Sequence, residues 1–375
     1  MRNYTLENYE DQMNKQVVHM DQAVSYCPEF RATKMMHDYP SRKLQLARAV
    51  YKGELEANEY ITNILLNSIL SRQGERWQNF GENPEDFTDA MILSREMMIK
   101  KGFGKEIVNQ LKAIIDKNCG HIVEVNPDKD IKWRKYIPVA ENSSVYLMLD
   151  DATYAYASES ARSLGEFFSK KDIRFYPEIK ATFPGWEYFA YGLVEEGYNY
   201  LTNMIEGLKG TGIDTIVTLT GQTHYIWKVL VKKFGLVHNF KIMSVLDYCE
   251  QLKVDVPVYL YAGSFFARYL RMEDEINKLI INEKEELIKN CAEFTPLLIA
   301  DKRINKVTIW QKPVSAEYLL LGLAENIENY IKNDAIEDIK KGTQRETIVF
   351  DPYAYNVLCE EIGEKKVSYY IDKLS

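Results

Sequence analysis

The chain has 375 residues, 46% of them hydrophobic and 27% charged, with 19 Gly and 11 Pro; the length predicts two or three domains because one core rarely grows past ~250–300 residues, and the composition excludes collagen, low-complexity disorder and a disulfide scaffold. Forty-seven Lys and Arg against 55 Asp and Glu leave a net charge of −8, so no global positive field draws phosphate backbones and no nucleic-acid partner is expected. The opening MRNYTLENYEDQMNK has no apolar run of signal-peptide length, and no later segment offers ~18 consecutive uncharged apolar residues, which predicts a cytoplasmic protein that meets a membrane only through a partner.

The first 115 residues read as helical. SRKLQLARAVYKGELEANEYITNILLNSILSRQGERW and DFTDAMILSREMMIKKGFGKEIVNQLKAIIDKN space their apolar residues by three and four, with Pro40, Gly53, Gly81 and Pro84 as punctuation. CGHIVEVNP then reads as a strand-like turn, and DKDIKWRKYIPVAENSS as a polar linker of about 15 residues. Beyond it short β-rich runs alternate with helices: VYLMLDD, YASESARSLGEFFSKK, IRFYP, a single helix WEYFAYGLVEEGYNYLTNMIEGLKGTG, DTIVTLT, HYIWKVLVKKFG and KIMSVLDYCEQL. This alternation predicts an α/β fold with mainly parallel sheets covered by helices. Arg271 to Cys291 reads as an amphipathic surface helix.

The second half repeats the first. Val145-Tyr146-Leu147 returns as Val258-Tyr259-Leu260, and GTGIDTIV from Gly210 returns as GTQRETIV from Gly342. The predicted parse is a helical module (1–118), a linker (119–143) and two tandem α/β repeats (144–254 and 255–375).

At these repeated segments the chain resembles the CCG-domain iron-sulfur oxidoreductases, which include heterodisulfide reductase catalytic subunits and the iron-sulfur subunits of glycolate and lactate oxidases. IVTLTGQTHY is similar to that family's I-V-T-x-C-P-x-C strand, with Thr220 and Thr223 at the two thiolate positions; VYLYAGSFFARYL is similar to YHDPCxLxR, with Ser264 at the cysteine and Arg268 at the arginine. QVVHMDQAVSYCPEF has the layout of the ferredoxin-like C-x2-C-x2-C-x3-C-P, with Val17, Met20 and Ala23 at ligand positions and only Cys27, before Pro28, still a cysteine. The resemblance puts a second such motif at Asn67, Leu70, Gln73 and Trp77, the first repeat's opening cysteine at Asp151, the two Cys-Cys-Gly turns at Phe183 to Trp186 and at Trp310 and Gln311, and the last pair at Asp351 and Ala354. A 4Fe–4S cluster needs about four thiolates. The five cysteines, Cys27, Cys119, Cys249, Cys291 and Cys359, form no CxxC clip, so no cluster is expected.

The remaining residues offer other candidate chemistry. His19, His37, Cys27, Met20, Met35 and Met36 lie near one another in sequence, but no His-x3-His or Cys-x2-Cys pair makes a copper or zinc site of them. Asp150 and Asp151 end a strand and read as a helix cap or as a catalytic carboxylate pair. Thr220, Gln222, Thr223 and His224 read as the turn into a helix or as a polar pocket with His224 as base. No nucleotide loop, GxSxG elbow or HExxH helix is present. Among the 26 Tyr and five Trp, Trp186 and Trp310 are expected to fill space vacated by clusters. The resemblance implies a cluster-less paralogue that serves as a structural or regulatory subunit of a redox complex, with a cluster-bearing relative or a flavoprotein or electron carrier as partner. The alternative is a metal-free enzyme or small-ligand protein using a crevice between the repeats, lined by Asp151, Thr220, His224, Ser264 and Arg268.

Overall fold

The computed structural model describes residues 4–15, 27–74, 84–255, 257–280, 306–309, 311–342 and 346–375. Helices α1 (Glu10–Lys15), α2 (Pro28–Thr33), α3 (Pro40–Tyr51), α4 (Glu59–Leu66), α5 (Pro84–Lys100) and α6 (Lys105–Lys117) form the N-terminal module. Pro28 and Pro40 open their helices where no backbone donor is missed, and Asn58 caps α4 by accepting from Ile61 N at 2.9 Å. In α6 the buried Ile107, Val108, Leu111 and Ile115 keep the three- and four-residue spacing of one face.

The next segment departs from expectation. The stretch expected as a linker holds a ten-residue helix, α7 (Pro127–Tyr136), capped by Asn126 and buried through Trp133. Its many Lys and Asp are the solvated side of a helix whose one buried residue anchors it, a pattern composition alone reads as linker. CGHIVEVNP forms no strand: Cys119 (φ 55°) and Gly120 (φ 97°) turn the chain sharply after α6.

Two three-stranded parallel sheets follow, as the alternation and the repeat predict. The first runs β1 (Val145–Met148), β2 (Thr215–Thr218), β3 (Lys241–Ser244), and the second β4 (Val258–Tyr261), β5 (Glu346–Val349), β6 (Val367–Tyr369), each in that spatial order. Val145 pairs with Thr215 in one sheet and Val258 with Glu346 in the other; Glu346 stands at the place of Asp214 in the repeated word, so the same words pair in both sheets with registers offset by one residue. Between β1 and β2 lie α8 (Asp151–Tyr156), α9 (Ala161–Lys170), α10 (Trp186–Ala190) and α11 (Val194–Leu208). The single helix expected from Trp186 onward is thus two, broken where Gly192 takes φ 72°. IRFYP contributes an isolated bridge, Phe175 with Val139, rather than a strand. After β2, α12 (Gly221–Tyr225) continues through a π turn (Ile226–Leu230). After β4 a π turn (Phe265–Tyr269) precedes α13 (Glu273–Lys278), and α14 (Glu325–Gly342) and α15 (Pro352–Ile362) flank β5. Most of the helix expected over Arg271 to Cys291 lies outside the described residues.

Alternate strand residues enter different cores, the two-residue period of a sheet buried on both faces. Leu147 and Val217 share one core with Leu260 and Ile348 of the second sheet and with Tyr370, just after β6. Tyr146 and Ile216 join Leu44, Leu65 and Leu93 of the module. The halves also meet reciprocally: α8, after β1, packs on α15, after β5, and α12, after β2, packs on the π turn after β4. A pseudo-twofold between the repeats requires this pairing. Among the described residues no helix is long and apolar enough to cross a membrane.

Candidate functional site

The carboxyl ends of β1, β2, β4 and β5 converge where the repeats touch, and local sequence sets each end. Asp150 caps α8 by accepting from Thr153 N at 2.8 Å, and Asp351 caps α15 by accepting from Ala354 N at 2.8 Å. Thr220 caps α12, accepting from Thr223 N at 3.3 Å. The Asp pair after β1 is therefore a cap at Asp150, and Asp151 is the first residue of the short helix α8. Gly221 admits no side chain, because a Cβ there would stand 2.7 Å from Phe266 N; its absence lets the two halves close. Thr153 Oγ1 lies 3.1 Å from Tyr369 Oη, and the Tyr370 hydroxyl donates to the Leu219 carbonyl, so the seam is hydrogen-bonded as well as packed.

Acid groups are buried along this seam. Burial raises the pKa of Asp150 to about 7, reinforced by Asp151 and opposed by its bond to Thr153 N. Burial raises Glu187, in α10, to about 8, with Asp151 adding to it and Gln222 opposing it through a hydrogen bond. Asp351 is pushed well up by burial and by Glu317. Asp150 Oδ2 and Glu187 Oε2 have no hydrogen-bond partner, the state expected of carboxyls that shed desolvation cost by holding protons. His224 goes the other way: burial lowers it to about 3, so its ring is neutral. Its Nδ1 lies 2.8 Å from Thr218 Oγ1, so a hydroxyl and not a carboxylate orients it.

The positions expected to line a crevice are interior. Ser264 and Arg268 are buried; the Arg268 guanidinium donates to Ser264 Oγ, to Ser71 O at 2.6 Å and to Gln311 O at 2.8 Å. Tyr318 donates to the same Ser264 hydroxyl. The Trp186 ring packs edge-on against Phe265 and Tyr269 at 5.1 and 5.6 Å. Protein groups fill this space.

The loop of residues 67–74, which holds Asn67, Leu70 and Gln73, is drawn into the same interior. It runs buried without regular structure, with Leu70 (φ 54°) and Arg72 (φ 58°) left-handed although neither is glycine. Its carbonyls are claimed by side chains from several directions: Lys43 Nζ reaches Asn67 O at 3.1 Å, Arg95 Nη2 reaches Ser68 O at 2.6 Å, and Tyr269 donates to Leu70 O. Gln73 Nε2 donates to Gln311 O at 3.2 Å. The Arg72 guanidinium lies 3.7 Å over the Tyr269 ring. Cys27 sits beside this loop: its thiol donates to Glu29 Oε2 at 3.1 Å, Glu29 in turn accepts from Ile69 N at 2.7 Å, and a Cβ on Gly74 would stand 3.0 Å from Cys27 Cβ. Ala354 lies in α15. Val17, Met20, Ala23, Trp77 and Trp310 lie outside the described residues, as does His19.

Sequence reasoning missed His121. The turn after α6 sets its Nδ1 3.5 Å from Asp151 Oδ2, and the same oxygen accepts from Ile122 N at 3.1 Å. The signal was present in Cys119-Gly120-His121, where a glycine after an apolar helix marks a turn that presents the next side chain. Among the described residues no group of three or more His, Cys, Asp or Glu is arranged to hold a metal ion. Compared with family models, with curated proteins and with solved structures, the chain matches none.

Proposed function

We propose that this chain is a cluster-less relative of the CCG-type iron-sulfur subunits, and that it acts as a structural or regulatory subunit of a redox complex, beside a cluster-bearing relative or a flavoprotein. The observation that carries the reading is the loop of residues 67–74. In a two-cluster ferredoxin the fourth cysteine of one motif, the one before Pro, ligates the cluster of the other motif; here Cys27, before Pro28, lies against the loop that aligns with the second motif. Buried irregular backbone must find partners for its polar groups. Lys43, Arg95, Arg268 and Tyr269 supply them. The donor set does not fit an iron-sulfur cluster: the one thiol beside the loop is hydrogen-bonded to a carboxylate, and the loop's own carbonyls are taken by Lys, Arg and Tyr side chains. The buried state of Ser264, Arg268 and Trp186 favours a scaffold over an enzyme that opens this seam to substrate.

Anaerobic purification from the native cell, with iron and flavin assays of the chain and of whatever co-elutes, tests the reading. The expected outcome is an iron-free chain held in a complex with an iron-sulfur or flavin protein. Stoichiometric iron on the isolated chain, with broad visible absorption, would overturn it.

A further inference from the structure

A groove of about 600 Å³ opens on the flank of the first sheet, away from the repeat seam, between β1, α11 and the segment around Thr182. Its volume falls within the range of small-molecule sites, roughly 300–1,000 Å³. The lining sets the rings and thioethers of Tyr146, Phe183, Tyr200 and Met204 beside polar Thr182 and Asn203, and its apolar part suits the face of a flat aromatic molecule. The Phe183 and Tyr200 rings stand 5.5 Å apart, and the Tyr200 hydroxyl is tied to Phe183 O at 2.7 Å, which fixes that wall. The charged groups of the lining cancel: Lys180 Nζ lies 2.6 Å from Glu178 Oε1. A neutral ligand therefore fits better than an ion.

His121 lines the groove. Its Nδ1 stands 3.5 Å from the buried Asp151 carboxylate, which only accepts, so the tautomer that suits this carboxylate has its proton on Nδ1 and leaves Nε2 as an acceptor. The carboxylate is held in turn by Ile122 N. The imidazole thus offers a hydrogen-bond acceptor at Nε2. Gly207 adds an independent observation. It is the next-to-last residue of α11, and a Cβ there would meet nothing within 4 Å. Packing does not demand this glycine. It leaves room on the groove side, since Gly207 is part of the lining.

We propose that this groove binds a neutral aromatic molecule bearing a hydroxyl, a phenol in the simplest case, with the ring against Tyr146, Phe183 and Met204 and the hydroxyl donating to His121. This goes beyond the scaffold reading and stands or falls separately from it. The full chain titrated with 4-nitrophenol tests it by calorimetry and by the visible absorption of the phenolate. Saturable binding is expected, with a smaller ionised fraction bound than free at the same pH, as a site selective for the neutral phenol requires. His121→Gln is expected to abolish the absorption change and weaken binding at least about tenfold. Gly207→Trp should abolish binding while leaving the melting temperature near that of the parent, since the new side chain enters open space. The methyl ether 4-nitroanisole, which has no proton to donate, should bind at least about tenfold more weakly. No saturation with 4-nitrophenol, equal binding of the ether, or unchanged binding by either variant would overturn the proposal.

Discussion

Asp150 and Glu187 lie buried at the seam with one oxygen each unpartnered, and burial lifts them to about 7 and about 8. The groups facing them are acidic or neutral: Asp151 and Asp351 with Thr153 and Tyr369 around Asp150, and Asp151 and Gln222 around Glu187. In the unfolded chain both return to the ordinary carboxylate range, about 4. Between that value and about 8 the folded chain therefore binds more protons than the unfolded one, and stability falls as pH rises. The stabilisation is whole below the unfolded value and gone above the folded one. Thermal melts should give a midpoint several degrees higher at about pH 5.5 than at about pH 8.5, and the double variant Asp150→Asn, Glu187→Gln should flatten that difference. A wild-type profile that rises across this interval would contradict the burial argument.

At the scale of elements, α7 separates two readings of one segment. Trp133 is fully buried and donates to Tyr154 O at 3.3 Å, whereas Ile131 on the same helix is 68% exposed. A docked helix predicts that Trp133→Ala costs about 3–5 kcal/mol and that Ile131→Ala changes stability by no more than about 0.5 kcal/mol. Chemical denaturation of both variants checks this, and near-neutral values for both would restore the linker. The segment was illegible in sequence because a single residue of the helix, Trp133, is buried, and its other apolar residues give no repeating face among the charges. The strands were legible for the opposite reason. VYLM and TIVT are short, β-branched or aromatic runs buried on two faces, and their recurrence at Val258 and Thr347 located the strands of the second sheet, though not its register, which is offset by one residue. Thr220 was legible as a turn into a helix from local chemistry alone. The His121 and Asp151 pair was not, because 30 positions of chain and a left-handed turn bring it together, and neither residue's neighbours in sequence point to the other.

For the whole molecule, the parse into module, linker and two repeats describes how the sequence is built and not how the protein holds together. The core under the first sheet is completed by Leu260, Ile348, Phe350 and Tyr370 from the second, and the opposite face of the first sheet is completed by Leu44, Leu65 and Leu93 from the module. Without its partners, either face of the first sheet would stand in water, at roughly 25 cal/mol for each Å² uncovered. Arg268 ties the second repeat to the loop of the module through Ser71 O, and Tyr370 ties it to the end of β2 through Leu219 O. Chains of this length ordinarily unfold through intermediates; this one should not. Calorimetry is expected to show a single transition whose calorimetric and van't Hoff enthalpies agree, and the fragment of residues 257–375 expressed alone should lack cooperative unfolding. Two resolved transitions, or a fragment that melts sharply by itself, would mean that the repeats are independent bodies and that the shared core contributes little to either.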